Sequence, residues 1–358
     1  MEGLWPVNAV NASVNAVNVL IVVRSNVAEG RGVASSAAVE VAAMKALLAA
    51  VGRADLPGRD LALLCQKVEN LVVGAPCGVM DQMASAMGPP ARLLPILCHT
   101  AEAQPPISIP DHIRLYGIDS GVLHSVRDDA YCRVRAAAFM GLKMISDMKK
   151  VLPSCLAALS PSEWIGDLEE ILPAEISGEE FLAAHGPHVD HVTTVDDHMH
   201  YRIRAATRHP ILENFRVKLF RQLLGAPPSN AQLLALGELM FQSHASYRAC
   251  GLGSKGTDAI VDLVKHEADL VTGQRPGVDQ VNTQALTLGG VFGAKSSGAG
   301  CGGTVCVMAS NDDAGRAAVE RVAREYGERY GIEGRIFDMK YGERHRACSW
   351  CVKVCREG

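Results

Sequence analysis

The sequence lacks a strong excess of charge and any long apolar run, and both absences exclude classes of protein. Its formal net charge is -4 and its pI is near 6.3, so it has no basic footprint for nucleic acid or an anionic membrane. No apolar run approaches the roughly 20 residues of a membrane-spanning helix, and the first residues lack the basic region of a signal peptide. We therefore expect a soluble cytoplasmic protein whose partners are neither nucleic acids nor membranes.

Cysteine usage also lacks the pattern of a disulfide framework. The chain has 11 cysteines, an odd number scattered along 358 residues, which indicates free thiols in a reducing compartment. Cys348, Cys351 and Cys355 could form half a zinc site, but a second ligand pair is missing nearby, so we favour a divergent tail. The histidines between residues 185 and 200 likewise lack the spacing of a metal site, and we expect none there.

A glycine and serine run at residues 27–43 ends an apolar strand and opens an alanine-rich helix. Gly30 and Gly32 let the backbone turn tightly beside an anion, while the N–H groups of a helix beginning near Ser35 would point at it. Ser35 and Ser36 add hydroxyls that can cap the helix or bind a magnesium ion on a phosphate. The alternative is an ordinary strand-to-helix loop with a serine cap. No Gly-Lys-Ser/Thr follows, so this is not a Walker loop.

A second glycine run, GAKSSGAGCGGTVCVM at residues 293–308, lies far downstream and precedes a β-branched strand. The acidic segment Cys-Gly-Val-Met-Asp-Gln stands between the two runs. One such run is weak evidence, but a spaced set of three segments rarely arises by chance. This set of three segments favours a protein that binds or transfers phosphate groups.

These three segments resemble the motifs of the GHMP kinases, a family that includes galactokinases. The second family motif stands here as residues 28–37, with Ala28 for a proline and Ala34 for a serine, and the third as residues 297–303, with Ala299 for a glycine. The resemblance implies an α+β, two-domain fold: a truncated N-terminal domain like domain 2 of ribosomal protein S5, and a ferredoxin-like C-terminal domain. The corresponding ranges are 1–115 and 116–342, followed by a divergent tail at 343–358.

Within the family, CQKVENLVVGAPCGVMDQMAS and SHASYRACGLGSKGTD are most similar to the galactokinase-like branch that includes plant arabinokinases. This resemblance implies an ATP-dependent 1-kinase that uses Mg²⁺ and acts on L-arabinose, with galactose as the alternative sugar. The family's first motif, which supplies an arginine and sugar contacts, has no counterpart here. A non-catalytic protein that binds ATP and sugar is therefore a further alternative, and we expect the strand at 17–23 to have unpaired edges.

The resemblance also assigns roles to individual residues. Asp81 matches the catalytic aspartate and would contact the sugar together with Gly78 and Tyr131, and Glu69 with Ser36 would bind magnesium. Nucleotide contacts would come from Gly30, Gly32, Ser35, Ser36, Ala37, Gly298, Gly300, Gly302 and Gly303.

Each of these residues also has a plain structural interpretation. Asp81 could be an acidic residue favoured by the dipole of a helix start, and Tyr131 could be half-buried packing. Glu69 could be a solvated carboxylate paired with Lys67 or Arg59.

Hydrophobic periodicity and breakers predict most of the elements. Helices are expected at 35–51, 59–72, 130–150, 210–224, 230–247, 257–267 and 313–330, and strands at 17–23, 91–97, 113–119, 286–295 and 304–309. The stretch 160–210 is predicted to be irregular. At its end, residues 207–214 (TRHPILEN) match the close of a variable linker in relatives.

Overall fold

The computed structural model describes residues 10–14, 17–123, 129–150, 153–272, 289–332, 334–338 and 353–356. The chain divides into two units, residues 1–108 with 340–358 and residues 109–339. Each combines helices with strands, which confirms the α+β prediction. The predicted domain boundary after residue 115 lies within a strand that belongs to the second unit.

Where the structure describes the first unit, it contains three α-helices and several short strands. They are β1 (Val10–Val14), β2 (Val17–Val22), α1 (Ser35–Ala50), α2 (Gly58–Val68), α3 (Met80–Met87), β3 (Arg92–Leu93), β4 (Ile96–Leu97), β5 (Glu102–Ala103), β6 (Ile107–Ser108) and β13 (Lys353–Arg356). The single strand predicted at 91–97 is two short ones, which pair with β6 and β5. Val41, Leu61, Cys65 and Met83 are buried where the three helices pack together.

Strand β2 is paired along both edges, so the expectation of unpaired edges at 17–23 is wrong. The asparagine and valine repeat forms β1, which pairs antiparallel with β2 and sets Val10 opposite Ile21. Strand β13 pairs with the other edge and sets Val354 opposite Ile21. Backbone groups of β2 therefore have partners on both sides. Cys348 and Cys351 of the predicted tail lie outside the described residues.

The helix predicted at 59–72 is interrupted where it reaches Glu69. Helix α2 ends at Val68 and a π-helical segment, Glu69–Val73, follows before Gly74 adopts a left-handed conformation. The wider turn changes which side chains face inward. Glu69 is only 4% exposed, whereas Leu71 and Val72 are 79% and 78% exposed.

The second unit is built around a four-stranded antiparallel sheet. In chain order its elements are β7 (Ile113–Asp119), α4 (Asp129–Lys149), α5 (Pro161–Glu163), β8 (Ile176–Ser177), α6 (Gly178–His185), β9 (His200–Tyr201), α7 (Ile203–Leu224), α8 (Asn230–Cys250), α9 (Lys255–Thr272), β10 (Val291–Ser296), β11 (Thr304–Ser310), α10 (Asp313–Tyr330) and β12 (Ile336–Asp338). The sheet order is β10-β11-β7-β12. Helices α9 and α10 cover a core that includes Ile118, Val264, Val307 and Val322.

The stretch predicted to be irregular at 160–210 is largely ordered, which corrects that expectation. It contains α5, a π-helical segment at Trp164–Leu168, α6 and the first residues of α7. Helix α7 begins at Ile203 and includes Pro210 in its interior. Ile203, Ala206 and Ile211 are buried in a second core with Trp164, and this packing outweighs the local cost of the proline.

Among the described residues, no helix is both long enough and apolar enough to cross a membrane.

A close approach of two backbones yields a test of this packing. Helix α8 lies against β10 at Gly237, where a Cβ would stand 1.9 Å from the carbonyl oxygen of Phe292. Gly237→Ala should therefore lower the free energy of unfolding by about 3 kcal/mol, because neither backbone can move away easily. Urea titration measures this. Gly225→Ala is the control, since its Cβ would meet only an ordinary contact at 3.6 Å, and equal stabilities would contradict the packing.

Candidate functional site

The first glycine run forms a loop of left-handed turns that leads into α1. Gly30 and Gly32 both have φ of 66°, which their lack of a Cβ permits. The residue before the helix is Ala34, with φ of 59°, and no side-chain cap is found there. The serine cap of the alternative interpretation is therefore not formed at this helix start. Ser36 is exposed, whereas Ala37 is fully buried.

A buried amide joins the three segments that carry the other predicted residues of the first unit. Gln82, on α3, donates from Nε2 to Glu40 Oε2 on α1 at 3.2 Å and to Glu69 Oε2 at 2.5 Å. Cys77 Sγ also lies 3.3 Å from Glu69 Oε2. The interpretation of Glu69 as a solvated carboxylate is wrong, because its partners are buried groups.

The two carboxylates in this cluster repel each other. Burial and the charge of Glu69 raise the pKa of Glu40 to about 7. Burial raises the pKa of the Cys77 thiol to about 12, so Cys77 stays protonated and donates to Glu69. The cluster therefore holds excess negative charge that a proton or a cation would balance.

Asp81 lies beside this cluster, in the first turn of α3. Its neighbour Gln82 is buried and points inward, whereas Asp81 is half-buried, and its charge contributes to the raised pKa of Glu40. Gly78 is exposed, and a Cβ added there would meet no atom within 4 Å. Ser36 precedes Glu40 by one helical turn, so both share one face of α1. The first unit thus brings Glu40, Glu69 and Gln82 together, with Asp81 next to Gln82 in the chain and Ser36 one turn before Glu40 on α1.

Sequence reasoning assigned no role to Glu40 and Gln82. Both were within reach: Glu40 stands four residues after Ser36, and Gln82 directly follows Asp81 in the acidic segment. A periodic pattern identifies the helices, but it does not identify which polar groups will meet when three of them pack together.

The second glycine run forms a loop in the second unit, between β10 and β11; we call residues Ser297–Gly303 the glycine loop. Its left-handed residues are Gly298, Gly300, Cys301, Gly302 and Gly303, with φ from 58° to 136°. Backbone bonds hold its second half: Cys301 N donates to Leu252 O at 2.7 Å and Gly303 N to Val122 O at 2.9 Å.

Tyr131 also belongs to the second unit, in the first turn of α4. Its side chain is half-buried and hydrogen-bonds Arg135, one turn further along the helix. Arg135 in turn makes a bidentate ion pair with Asp190, at 2.8 and 2.9 Å. Tyr131 is therefore held by Arg135 of its own helix, and Asp190 from the segment between α6 and β9 holds that arginine.

Comparison with known proteins agrees with these motifs. The model for the GHMP kinases N terminal domain matches residues 6–89, and that for the GHMP kinases C terminal domain matches residues 230–329. The chain is 41% identical to an L-arabinokinase of Arabidopsis thaliana over 350 residues, 90% of this chain and 32% of that protein. It is 27% identical to a galactokinase of Chloroflexus aurantiacus, covering 82% of this chain and 61% of that one. It thus spans less than two thirds of either relative.

A crystal structure shares the fold. Lactococcus lactis galactokinase, solved with galactose, superposes with a TM-score of 0.64 at 20% identity, over 88% of this chain and 67% of that chain.

The Gln82 cluster should make a measurable contribution to stability. Gln82→Leu leaves the buried carboxylate of Glu69 and the half-buried one of Glu40 without their amide donor, so the free energy of unfolding should fall by about 2–3 kcal/mol. Gln242→Leu is the matched control, because Gln242 Nε2 donates to Glu238 at 2.9 Å on an exposed helix face. Loss of this exposed hydrogen bond should lower the free energy of unfolding by no more than about 0.5 kcal/mol. Similar urea midpoints for the two variants would rule out the buried bridge.

The raised pKa of Glu40 predicts a pH dependence with a definite sign. Between its ordinary value of 4.5 and about 7, the folded protein holds a proton that the unfolded chain has lost. Stability from this group is therefore full below pH 4.5 and is lost as the pH rises to about 7. Glu40→Gln should flatten this fall in thermal melts of the metal-free protein. An unchanged slope would show that Glu40 ionises normally.

The two regions that match the family models contain the segments described above. Residues 6–89 contain the first glycine run, Glu69 and Asp81, and residues 230–329 contain the glycine loop. The fold and the sequence matches agree, and the chain belongs to the GHMP kinase family.

Proposed function

We propose that this chain is the kinase part of an ATP-dependent sugar kinase that converts L-arabinose to L-arabinose 1-phosphate. The observation that carries this proposal is the 41% identity to L-arabinokinase across 90% of the chain. The cluster around Glu69 and Asp81 supports a catalytic role over a merely binding one. A buried carboxylate beside a second, half-buried one is costly to keep, and an inert ATP-binding protein has no evident need of the pair.

The nucleotide would bind at the first glycine run. The left-handed turns at Gly30 and Gly32 lead to an N-terminus of α1 without a side-chain cap, and its N–H groups can donate to phosphate oxygens. Ser35 and Ser36 supply hydroxyls there, and Ala37 a backbone N–H. The resemblance also implies nucleotide contacts from the backbone of Gly298, Gly300, Gly302 and Gly303 in the second unit.

Magnesium would be held by Ser36 and Glu69. A hydroxyl and a carboxylate are the oxygen donors that this ion prefers. The donor set fits, because the carboxylates of Glu40 and Glu69 share the amide of Gln82, and a divalent cation would offset the negative charge that they bring together. When bound, the ion would neutralise charge on the phosphates.

Asp81 would act on the acceptor hydroxyl. Its carboxylate would orient the anomeric hydroxyl of the sugar and accept its proton as the oxygen bonds the γ-phosphorus. The bond from that phosphorus to the bridging oxygen then breaks, and ADP leaves. Gly78, next to open space, would allow the sugar to approach the backbone, and Tyr131 would contact the sugar through its hydroxyl.

Galactose is the second candidate substrate, since galactokinases match 82% to 87% of the chain at 27% identity. ATP consumption and free cysteines fit a cytoplasmic enzyme.

The substrate is tested by measuring ADP release from the purified chain with L-arabinose, with galactose and without sugar. Faster release with arabinose supports the proposal, and faster release with galactose favours the second candidate. Binding of Mg-ATP by calorimetry without any sugar-dependent turnover would contradict both and favour a non-catalytic protein.

Asp81→Asn should lower turnover by about 10²–10⁴, the usual range for a positioned acid–base group, and leave Mg-ATP affinity nearly unchanged. Steady-state kinetics and calorimetry measure the two effects. Asp60→Asn is the control, because Asp60 is also acidic in the first turn of a helix but is exposed beside Arg59. If Asp81→Asn retains full turnover, Asp81 is only a helix-start residue.

A further inference from the structure

We propose that Tyr247 is a positioning residue that fixes the first half of the glycine loop, and that the α7 sequence at residues 207–214 holds this tyrosine in place. The inference rests on the proposed function in one respect: the loop must border the nucleotide for Tyr247 to affect binding. Its structural claim, which concerns the second unit alone, can be tested without any ligand.

The shape of the glycine loop depends on contacts from outside it. With five residues in the left-handed region, the loop forms no regular ladder of its own. Its second half is anchored by backbone carbonyls of Leu252 and Val122, and Ser120 Oγ donates to the carbonyl of Gly303 at 2.6 Å. These bonds do not reach the first half of the loop, residues 297–300, which other contacts must hold.

The start of the loop is held by Ser297, whose N and Oγ donate to Thr304 O at 3.0 and 2.9 Å. Beyond it, one side chain on α8 supports the first half. The Tyr247 hydroxyl donates to the carbonyl of Gly298 at 3.0 Å. The ring also packs closely against the loop, because a Cβ at Gly300 would lie 2.9 Å from it. A single tyrosine thus contacts the loop at two positions in its first half.

Helix α7 determines where the tyrosine ring lies. His209 packs edge-on against that ring, with centroids 4.9 Å apart and an angle of 87°. The His209 ring is fixed by a 2.8 Å hydrogen bond between Nδ1 and Ser246 Oγ. On another side, Lys295 Nζ lies 5.9 Å from the centroid of the Tyr247 ring, within the range of a cation–π contact.

Glu213, one turn after His209, fixes Lys295 in turn. Its Oε1 accepts from Lys295 Nζ at 3.2 Å and from Ser243 Oγ at 2.5 Å, and its Oε2 accepts from Arg216 at 2.8 Å. Lys295 and the other donors hold the pKa of Glu213 at about 2 despite its burial, so it remains charged. Residues 207–214, which match the close of a variable linker in relatives, therefore support the Tyr247 ring.

The first experiment compares hydrogen exchange in the wild type and in Tyr247→Phe, without ligand. Losing one hydrogen bond should speed exchange of the amides at residues 298–300 by about 3- to 10-fold. Tyr201→Phe is the matched control, since its buried hydroxyl accepts from the Asp196 amide at 2.8 Å. A general loss of stability would speed the loop equally in both variants and would overturn the proposal.

Glu213→Gln tests the contribution of α7. It removes the charge that holds Lys295 and should also speed exchange at residues 298–300. Unchanged exchange there would refute the role of α7 in holding the tyrosine.

Nucleotide binding separates this inference from the proposed function. Tyr247→Phe should raise the Kd for Mg-ATP about 3- to 10-fold, whereas Tyr201→Phe should leave it within about twofold. If the wild type binds no nucleotide, the proposed function fails, but the exchange data still decide the positioning role. If the loop exchanges faster and the wild type binds Mg-ATP with unchanged affinity in Tyr247→Phe, positioning for the ligand is refuted.

Discussion

The first unit is organised by one buried constraint: two carboxylates lie close enough to share a single amide donor. Glu40 and Glu69 come from different segments, and Gln82 bridges them from a third. Burial strengthens both the repulsion between the carboxylates and the hydrogen bonds that offset it. Because the same three segments also carry Ser36, Glu69 and Asp81, the bridge fixes the relative positions of the residues to which we assign the chemistry.

The two glycine runs use left-handed backbone for different purposes. The first ends in an alanine at the cap position of α1, so no side chain caps the start of that helix by a hydrogen bond. The second is held from outside, by carbonyls of other loops and by the Tyr247 hydroxyl. An open helix start can receive an anion, and a held loop can keep a fixed shape at little cost on binding.

Helix α7 connects packing with function in the second unit. Ile203 and Ile211 are buried in the core around Trp164. His209 and Glu213 instead contact the helix and strand that flank the glycine loop. One helix therefore ties a hydrophobic core to a polar network, and a change in that core would be transmitted to the loop through rigid packing.

The sequence by itself determined the elements whose signals are local. Breakers and apolar spacing located α1 and α8, and α10 was predicted at its observed bounds of 313–330, because helix periodicity and caps act over a few residues. Motif spacing likewise identified the family, since those glycines and Asp81 stand in fixed order along the chain.

Only the tertiary structure decided the rest. The start of α7 at Ile203 depends on burial against Trp164, and the π-helical segment that turns Glu69 inward depends on how α2 meets its neighbours. The pairing of β2 with β13 joins residues more than 300 positions apart. The Gln82 bridge and the contacts that hold Tyr247 also depend on tertiary structure, because they join polar groups that are distant in sequence. No local sequence pattern predicts such contacts.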